Sequence, residues 1–285
     1  WVTRSPASTP PVMLLFTVFP PVLAFKLSIV LQLLLATLAA YWLARLLGTG
    51  TFGAWCAGMV FGFGANFGVA TCCTIFLQVA PWLPIGLIGI ELGIRQERWR
   101  TRLALLLISS FALSQLAGAW IGQGMYNGFL LIGAYLVWRW VVHRPGMTGR
   151  WSLRFWETGI AAAWMFGAGL LFAAAGLLPR FDSVRRAHVG SSAYLNNVSA
   201  IAGLEWWQVI QNITFYRRDW FPYYIGGAML ALAVIGLIRS GAQRQFAFFG
   251  IWAAVIIILP MKPTPLHQLF YLLPKFRGMH LHDPS

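Results

Sequence analysis

Long apolar runs alternate with short polar breaks along most of the chain. A helix that crosses the hydrocarbon core of a bilayer needs about 20 mainly apolar residues. The pattern predicts about eight such spans, at residues 24–47, 52–66, 70–94, 103–119, 125–142, 155–178, 221–238 and 246–261. The second span is short and glycine-rich, and Pro81 and Pro84 interrupt the third. We therefore expect an all-α, polytopic membrane helix bundle that forms a single transmembrane domain over residues 1–285.

Two segments fall outside this alternation, a long polar loop at residues 179–220 and a tail at residues 262–285. In the tail, apolar residues follow the i, i+3, i+4, i+7 spacing of an amphipathic helix. They are Leu266, Leu269, Phe270 and Leu273, between Pro265 and Pro274. This helix is too short to span a bilayer, and we expect it to lie on the outer surface.

Composition supports a membrane protein. Of the 285 residues, 59% are hydrophobic and only 10% are charged, whereas a soluble domain carries about 25% charged residues. The net charge of +14 comes from short clusters between the apolar runs, a pattern typical of loops that lie against anionic lipid rather than of a nucleic-acid-binding face. Cys56, Cys72 and Cys73 lie in apolar surroundings without metal-ligand spacing. We expect membrane lipids as partners, no nucleic acid, and neither a metal nor a cofactor.

The arginine clusters also predict an orientation. An arginine at a helix centre costs about 2.5–3.5 kcal/mol, and short cytoplasmic loops collect Arg and Lys. Placing residues 95–102 in the cytoplasm puts Arg45 and the clusters at residues 144–154 and 239–244 on the same side. The loop 179–220 and the tail 262–285 are then extracytoplasmic. We expect a multi-pass protein of the bacterial plasma (inner) membrane, cut from a longer chain at both ends.

Several polar or small residues within or beside the spans are candidates for a specific role. Ala54, Gly58 and Gly62 form a small-xxx-small stripe, which predicts close helix packing. Glu91 lies one turn before Arg95, and we expect an i,i+4 ion pair there. Polar side chains crowd the predicted turn after the fourth span, among them Gln115, Gln123 and Asn127. These three residues either hydrogen-bond between helices or line a polar pocket that opens outward.

The long loop holds most of the remaining polar chemistry. Paired arginines bind phosphate in a bidentate manner, and the loop contains two such pairs, Arg185 with Arg186 and Arg217 with Arg218. They are candidates for a phosphate site, although an interfacial loop whose arginines meet lipid phosphates nonspecifically has the same pattern. The carboxylates in the same loop are candidates for supporting roles in catalysis: Asp182, Glu205 and Asp219.

The tail PLHQLFYLLPKFRGMHLHDPS resembles a proline- and arginine-containing segment of the YfhO-like bacterial membrane proteins. Other stretches are similar to that family in the same order, including LLATLAAYWLARLLGTGTFGAWCAGMVFGFG, PWLPIGLIGIE, ALSQLAGAWIGQGMYNGFLLIGAYLVW and YYIGGAMLALAVIGLI. Each motif consists mainly of Gly, Ala, Leu and Pro. Their order along most of the chain carries the resemblance.

The resemblance implies a GT-C type glycosyltransferase architecture. Such a protein moves a sugar from a polyprenyl-phosphate donor to an extracytoplasmic cell-envelope acceptor, and its catalytic carboxylate is expected in a loop before residue 1. Two other functions remain open on the residues alone. One is a transporter or flippase of lipid-linked intermediates, and the other is a noncatalytic membrane scaffold.

Overall fold

The computed structural model describes residues 14–64, 74–119, 123–139, 151–186, 206–207, 231, 233–236 and 244–258. All regular structure in those residues is helical, as the sequence predicts. The helices are α1 (Leu15–Val18), α2 (Pro21–Leu46), α3 (Thr51–Phe63), α4 (Thr74–Val79), α5 (Trp82–Ile94), α6 (Trp99–Ala119), α7 (Gln123–Val137), α8 (Trp151–Arg186) and α9 (Arg244–Ile258). The predicted tail helix and most of the seventh predicted span lie outside the described residues.

Four helical segments are long and apolar enough to cross a membrane: Pro21–Leu46, Leu77–Ile94, Trp99–Ala119 and Phe155–Leu178. Three further apolar helices are shorter, namely Thr51–Phe63, Gly124–Val137 and Phe246–Ile258. At a rise of about 1.5 Å per residue, these three fall short of the roughly 30 Å hydrocarbon core. The described residues therefore support a helical membrane protein with four candidate spans.

The chain divides into two compact units, residues 1–185 and 186–285. In the second unit, α9 is the longest described element, and the ring of Phe248 stacks on that of Trp252 one turn away at 5.8 Å between centroids. The packing described below belongs to the first unit.

α2 and α3 form a tight helical hairpin. Gly48 has a φ of 89° and allows the left-handed turn that ends α2, in which the N–H of Gly48 bonds Arg45 O at 3.0 Å and that of Thr49 bonds Ala44 O at 3.1 Å. On α3, the predicted stripe of Ala54, Gly58 and Gly62 is buried. A Cβ at Gly58 would lie 2.7 Å from Thr37 O of α2. The stripe therefore packs against α2, and the predicted packing role is confirmed.

The third predicted span consists of two helices, because α4 ends at Val79 and α5 begins at Trp82. Pro81 precedes α5 as its N-cap. The break falls where the two prolines predict it, because in a continuous helix Pro84 would have no N–H for Ala80 O and its ring would clash with that carbonyl. α5 then approaches α6 closely at Gly86, whose carbonyl accepts a 2.6 Å hydrogen bond from Ser109 Oγ.

α8 differs most from its predicted bounds. The sequence predicts a helix end at residue 178 because proline usually stops or kinks a helix, but α8 continues through Pro179 to Arg186. Just before that proline, Ala173 and Leu177 pack against Ala117 of α6, which anchors the helix. The first residues of the predicted loop 179–220 are therefore helical.

Candidate functional site

Among the residues that the structure describes, buried charge is concentrated around Glu91 on α5. Arg139 donates from Nε to Glu91 Oε1 at 2.5 Å and from Nη2 to Oε2 at 2.9 Å. Tyr135 donates its hydroxyl to Oε1 at 2.5 Å, and Arg95 Nη2 lies 3.5 Å from Oε2. We call Glu91, Arg95, Tyr135 and Arg139 the Glu91 centre.

Two chain segments build this centre by helical spacing. Glu91 and Arg95 are one turn apart at the end of α5, and Tyr135 and Arg139 are one turn apart at the end of α7. Glu91 and Tyr135 are fully buried, whereas the side chain of Arg95 is 43% exposed. The centre thus extends from the interior of the helical unit to its surface at the end of α5.

The carboxylate of Glu91 is bound by fixed partners within the protein, so the centre is structural rather than reactive. Both carboxylate oxygens accept hydrogen bonds from fixed donors, and the guanidinium of Arg139 meets the carboxylate with its bidentate fork. A buried ion pair tolerates its desolvation only with such complete hydrogen bonding. The arrangement suits a fixed link between α5 and α7.

The predicted pair of Glu91 with Arg95 is confirmed at 3.5 Å, but it is the weaker contact of the centre. The sequence reasoning missed Arg139 and Tyr135. A signal was present, because Arg139 lies inside the predicted span 125–142, and an arginine there needs a carboxylate partner. Glu91 was the carboxylate deepest in a neighbouring apolar run.

A second charged group lies at the start of α6. Arg102 is buried and donates to Gln96 O from Nε at 3.1 Å and from Nη2 at 2.6 Å. Its guanidinium lies 5.2 Å from the ring centroid of Trp99 and 3.9 Å from Glu157 Oε2 on α8. Arg102 therefore closes the α5–α6 turn and also contacts α8.

The predicted polar turn is only partly described. Ser114 on α6 is buried and bonds Phe111 O within its own helix at 2.7 Å, and Gln115 Nε2 donates to Ser114 Oγ at 3.4 Å. Asn127 is half-buried on α7, and Gln123 is the first residue of that helix. The polar pocket of Gln115, Gln123 and Asn127 stays a prediction.

The predicted phosphate site is also only partly described. Asp182, Arg185 and Arg186 lie in the last two turns of α8. The other pair, Arg217 with Arg218, lies outside the described residues, as do Glu205 and Asp219. In the part of the chain that the structure describes, no group of three His, Cys, Asp or Glu side chains could hold a metal ion.

No family model, curated protein or solved structure matches the chain. The class of the protein therefore rests on its own helices. It is an all-helical protein over the described residues, with four helices that are long and apolar enough to span a membrane.

Proposed function

We propose that the chain is the membrane-embedded part of a glycosyltransferase-like protein. It moves a sugar from a polyprenyl-phosphate donor to a cell-envelope acceptor outside the bacterial plasma membrane. The resemblance to the YfhO-like proteins motivates this proposal. The observation that carries it is the continuation of α8 to Arg186.

The length of α8 suits a site at the headgroup level. Its apolar part, Phe155–Leu178, has 24 residues and spans about 36 Å at 1.5 Å per residue, against a hydrocarbon core of about 30 Å. Arg185 lies seven residues further along the same helix, which adds about 10 Å. A helix longer than the core is consistent with the proposal that residues 185 and 186 lie at the headgroup level, where the phosphate of a lipid-linked donor lies.

The chemistry of sugar transfer from such a donor needs two kinds of group. Arginine forks stabilise the charge that develops on the leaving phosphate, and this is the role of Arg185 and Arg186, with Arg217 and Arg218 as the second pair. A carboxylate activates the acceptor hydroxyl. Within the chain, Asp182, Glu205 and Asp219 are the candidates for supporting roles in that step.

The buried charge in the described residues favours this proposal over an ion-coupled transporter. A transporter of lipid-linked intermediates that uses ion coupling needs an intramembrane carboxylate that can change its protonation or ligand. Glu91 is instead held by Arg139 and Tyr135 through three hydrogen bonds. The other alternative, a noncatalytic scaffold, is tested by the experiment below, which measures whether the protein transfers sugar at all.

The experiment replaces Arg185 and Arg186 together by lysine in the full protein, reconstituted in vesicles with a panel of polyprenyl-phosphate sugars. Lysine keeps the charge but loses the bidentate fork. We expect sugar transfer to fall about tenfold, the equivalent of one charge-assisted hydrogen bond of about 1.4 kcal/mol. Arg98 and Arg100 are both exposed near the start of α6, and their double lysine variant is the matched control with parent activity.

The second pair is tested in the same way with Arg217→Lys and Arg218→Lys. One of the two double variants must lose transfer while membrane insertion stays at the parent level. Parent-level transfer by both variants would show that these arginines only face lipid. A parent protein that transfers no sugar from any donor in the panel would leave the scaffold as the better description.

A further inference from the structure

Two exposed arginines from different helices converge on the turn that ends α2. Arg45 Nη1 donates to Thr49 O at 2.9 Å, and Arg95 Nη2, from the end of α5, donates to Leu46 O. The carbonyl groups at a helix C-terminus carry partial negative charge and attract cations. The turn therefore fixes both guanidinium groups at the same end of the helical unit.

Each of these arginines keeps hydrogen-bonding capacity for a further partner. A guanidinium group has five N–H donors, and the carbonyl contacts of Arg45 and Arg95 use only part of that set. Arg45 is exposed, and the side chain of Arg95 is 43% exposed. The remaining donors are thus accessible to a ligand at the surface.

The charge at this place is not balanced within the described residues. Glu91 is the only carboxylate in contact with Arg95 there, and both its oxygens already accept hydrogen bonds from Arg139. The 3.5 Å separation of Arg95 and Glu91 is longer than a charge-assisted hydrogen bond of about 2.7–2.9 Å. Glu97 is nearby in sequence but exposed, and it forms no ion pair with a described residue. Arg95 thus meets a carboxylate that Arg139 already neutralises, and Arg45 contacts a backbone carbonyl rather than a carboxylate.

The neighbouring residues indicate the depth of this place in a membrane. Trp42, one turn before Arg45 on α2, is 53% exposed, and exposed tryptophans concentrate at the headgroup level of a bilayer. The apolar part of α2 ends at the same turn. The anion to expect at that depth is the phosphate of a lipid headgroup.

We propose that Arg45, Arg95 and the turn between Leu46 and Thr49 form a specific site for the phosphodiester of an anionic phospholipid. The lipid belongs to the leaflet at the arginine-rich end of the unit, where residues 95–102 lie. The site is distinct from the sugar-donor site above and does not depend on sugar transfer.

Anchoring distinguishes this pair from the other exposed arginines at the same end. The side chains of Arg98 and Arg100 form no hydrogen bond with the described part of the chain, so binding a phosphate costs them rotamer entropy. Arg45 and Arg95 are already held by carbonyl oxygens, and such preorganisation lowers the cost of binding. Replacing either pair of arginines removes the same charge, so a comparison of the two replacements separates the effect of geometry from that of charge.

The experiment measures lipid binding to the purified full chain in detergent by native mass spectrometry. Phosphatidylglycerol is the anionic probe and phosphatidylcholine the neutral one. Detergent removes the charged membrane surface, which attracts any basic loop regardless of geometry. We expect the parent to bind phosphatidylglycerol more tightly than phosphatidylcholine, and Arg45→Gln with Arg95→Gln to weaken phosphatidylglycerol binding about tenfold.

The double variant Arg98→Gln with Arg100→Gln removes the same charge and should weaken binding less than about twofold. Arg45→Gln alone leaves every contact of the Glu91 centre intact, so it tests the site even if the double variant fails to fold, and we expect a loss of about threefold. Equal losses for the two double variants would show general charge attraction and overturn the proposal. So would parent-level binding by Arg45→Gln, or an absence of preference for the anionic lipid in the parent.

Discussion

The hairpin of α2 with α3 and the group of α5, α6 and α7 are joined in different ways. In the hairpin, Gly58 and Gly62 let the backbones approach at Thr37, whose hydroxyl bonds Leu33 O within its own helix at 2.8 Å. In the group, polar contacts cross between helices, from Ser109 to Gly86 O at 2.6 Å and from Arg139 to Glu91.

The difference follows from the lipid bilayer, which is the environment of these helices. Lipid tails are as apolar as the side chains, so helix association in a bilayer depends on close packing and on polar contacts rather than on hydrophobic burial. The hairpin depends on close packing, whereas the α5–α6–α7 group depends on close packing and on polar contacts. The hairpin should therefore respond to side-chain volume, and the group to the loss of a charge or a hydroxyl.

The largest effect is expected from Arg139→Gln. The substitution leaves the fully buried Glu91 carboxylate without its bidentate partner, and breaking a buried pair in this way costs about 3–5 kcal/mol. Unfolding of the purified protein in mixed micelles with increasing dodecyl sulfate measures the loss. The double variant Glu91→Gln with Arg139→Gln removes both charges and should recover most of it. A double variant as unstable as the single one would show that the charge pair is not what joins α5 to α7.

A smaller effect is expected from Gly58→Ala in the hairpin. The new Cβ would lie 2.7 Å from Thr37 O and 3.2 Å from Tyr41 Cβ, and such overpacking costs about 1–3 kcal/mol. Gly53→Ala on the same helix is the matched control, because its Cβ would meet only Thr49 Cβ at 3.9 Å. The control should be neutral or gain up to about 1 kcal/mol from better helix propensity. The same unfolding measurement applies, and equal changes for the two variants would contradict the packing role of the stripe.

The smallest effect is expected from Ser109→Ala. This change removes the hydrogen bond from α6 to Gly86 O of α5, and hydrogen bonds between membrane helices contribute about 0.6 kcal/mol on average. Ser110→Ala removes a hydroxyl of the same helix that bonds only Leu106 O within α6, at 3.2 Å. A loss of stability confined to Ser109→Ala supports the contact between helices, and a larger loss for Ser110→Ala would refute it.

The sequence by itself determined the positions of most helices in the described residues and the packing stripe on α3. Apolar length and small-residue spacing are properties of one chain segment, so they can be read without knowing its neighbours. The i,i+4 pair of Glu91 with Arg95 is local in the same sense, and it too was predicted. The proposed sugar transfer and the predicted sidedness of the loops remain predictions.

Only the tertiary structure decided which partner dominates at Glu91. Arg139 is 48 residues away along the chain, and no local spacing connects the two residues until α5 and α7 pack side by side. The same holds for the convergence of Arg95 on Leu46 O, which lies 49 residues before it. The continuation of α8 past Pro179 to Arg186 belongs here as well, because a proline in the sequence indicates a helix end and only the structure shows that the helix runs on.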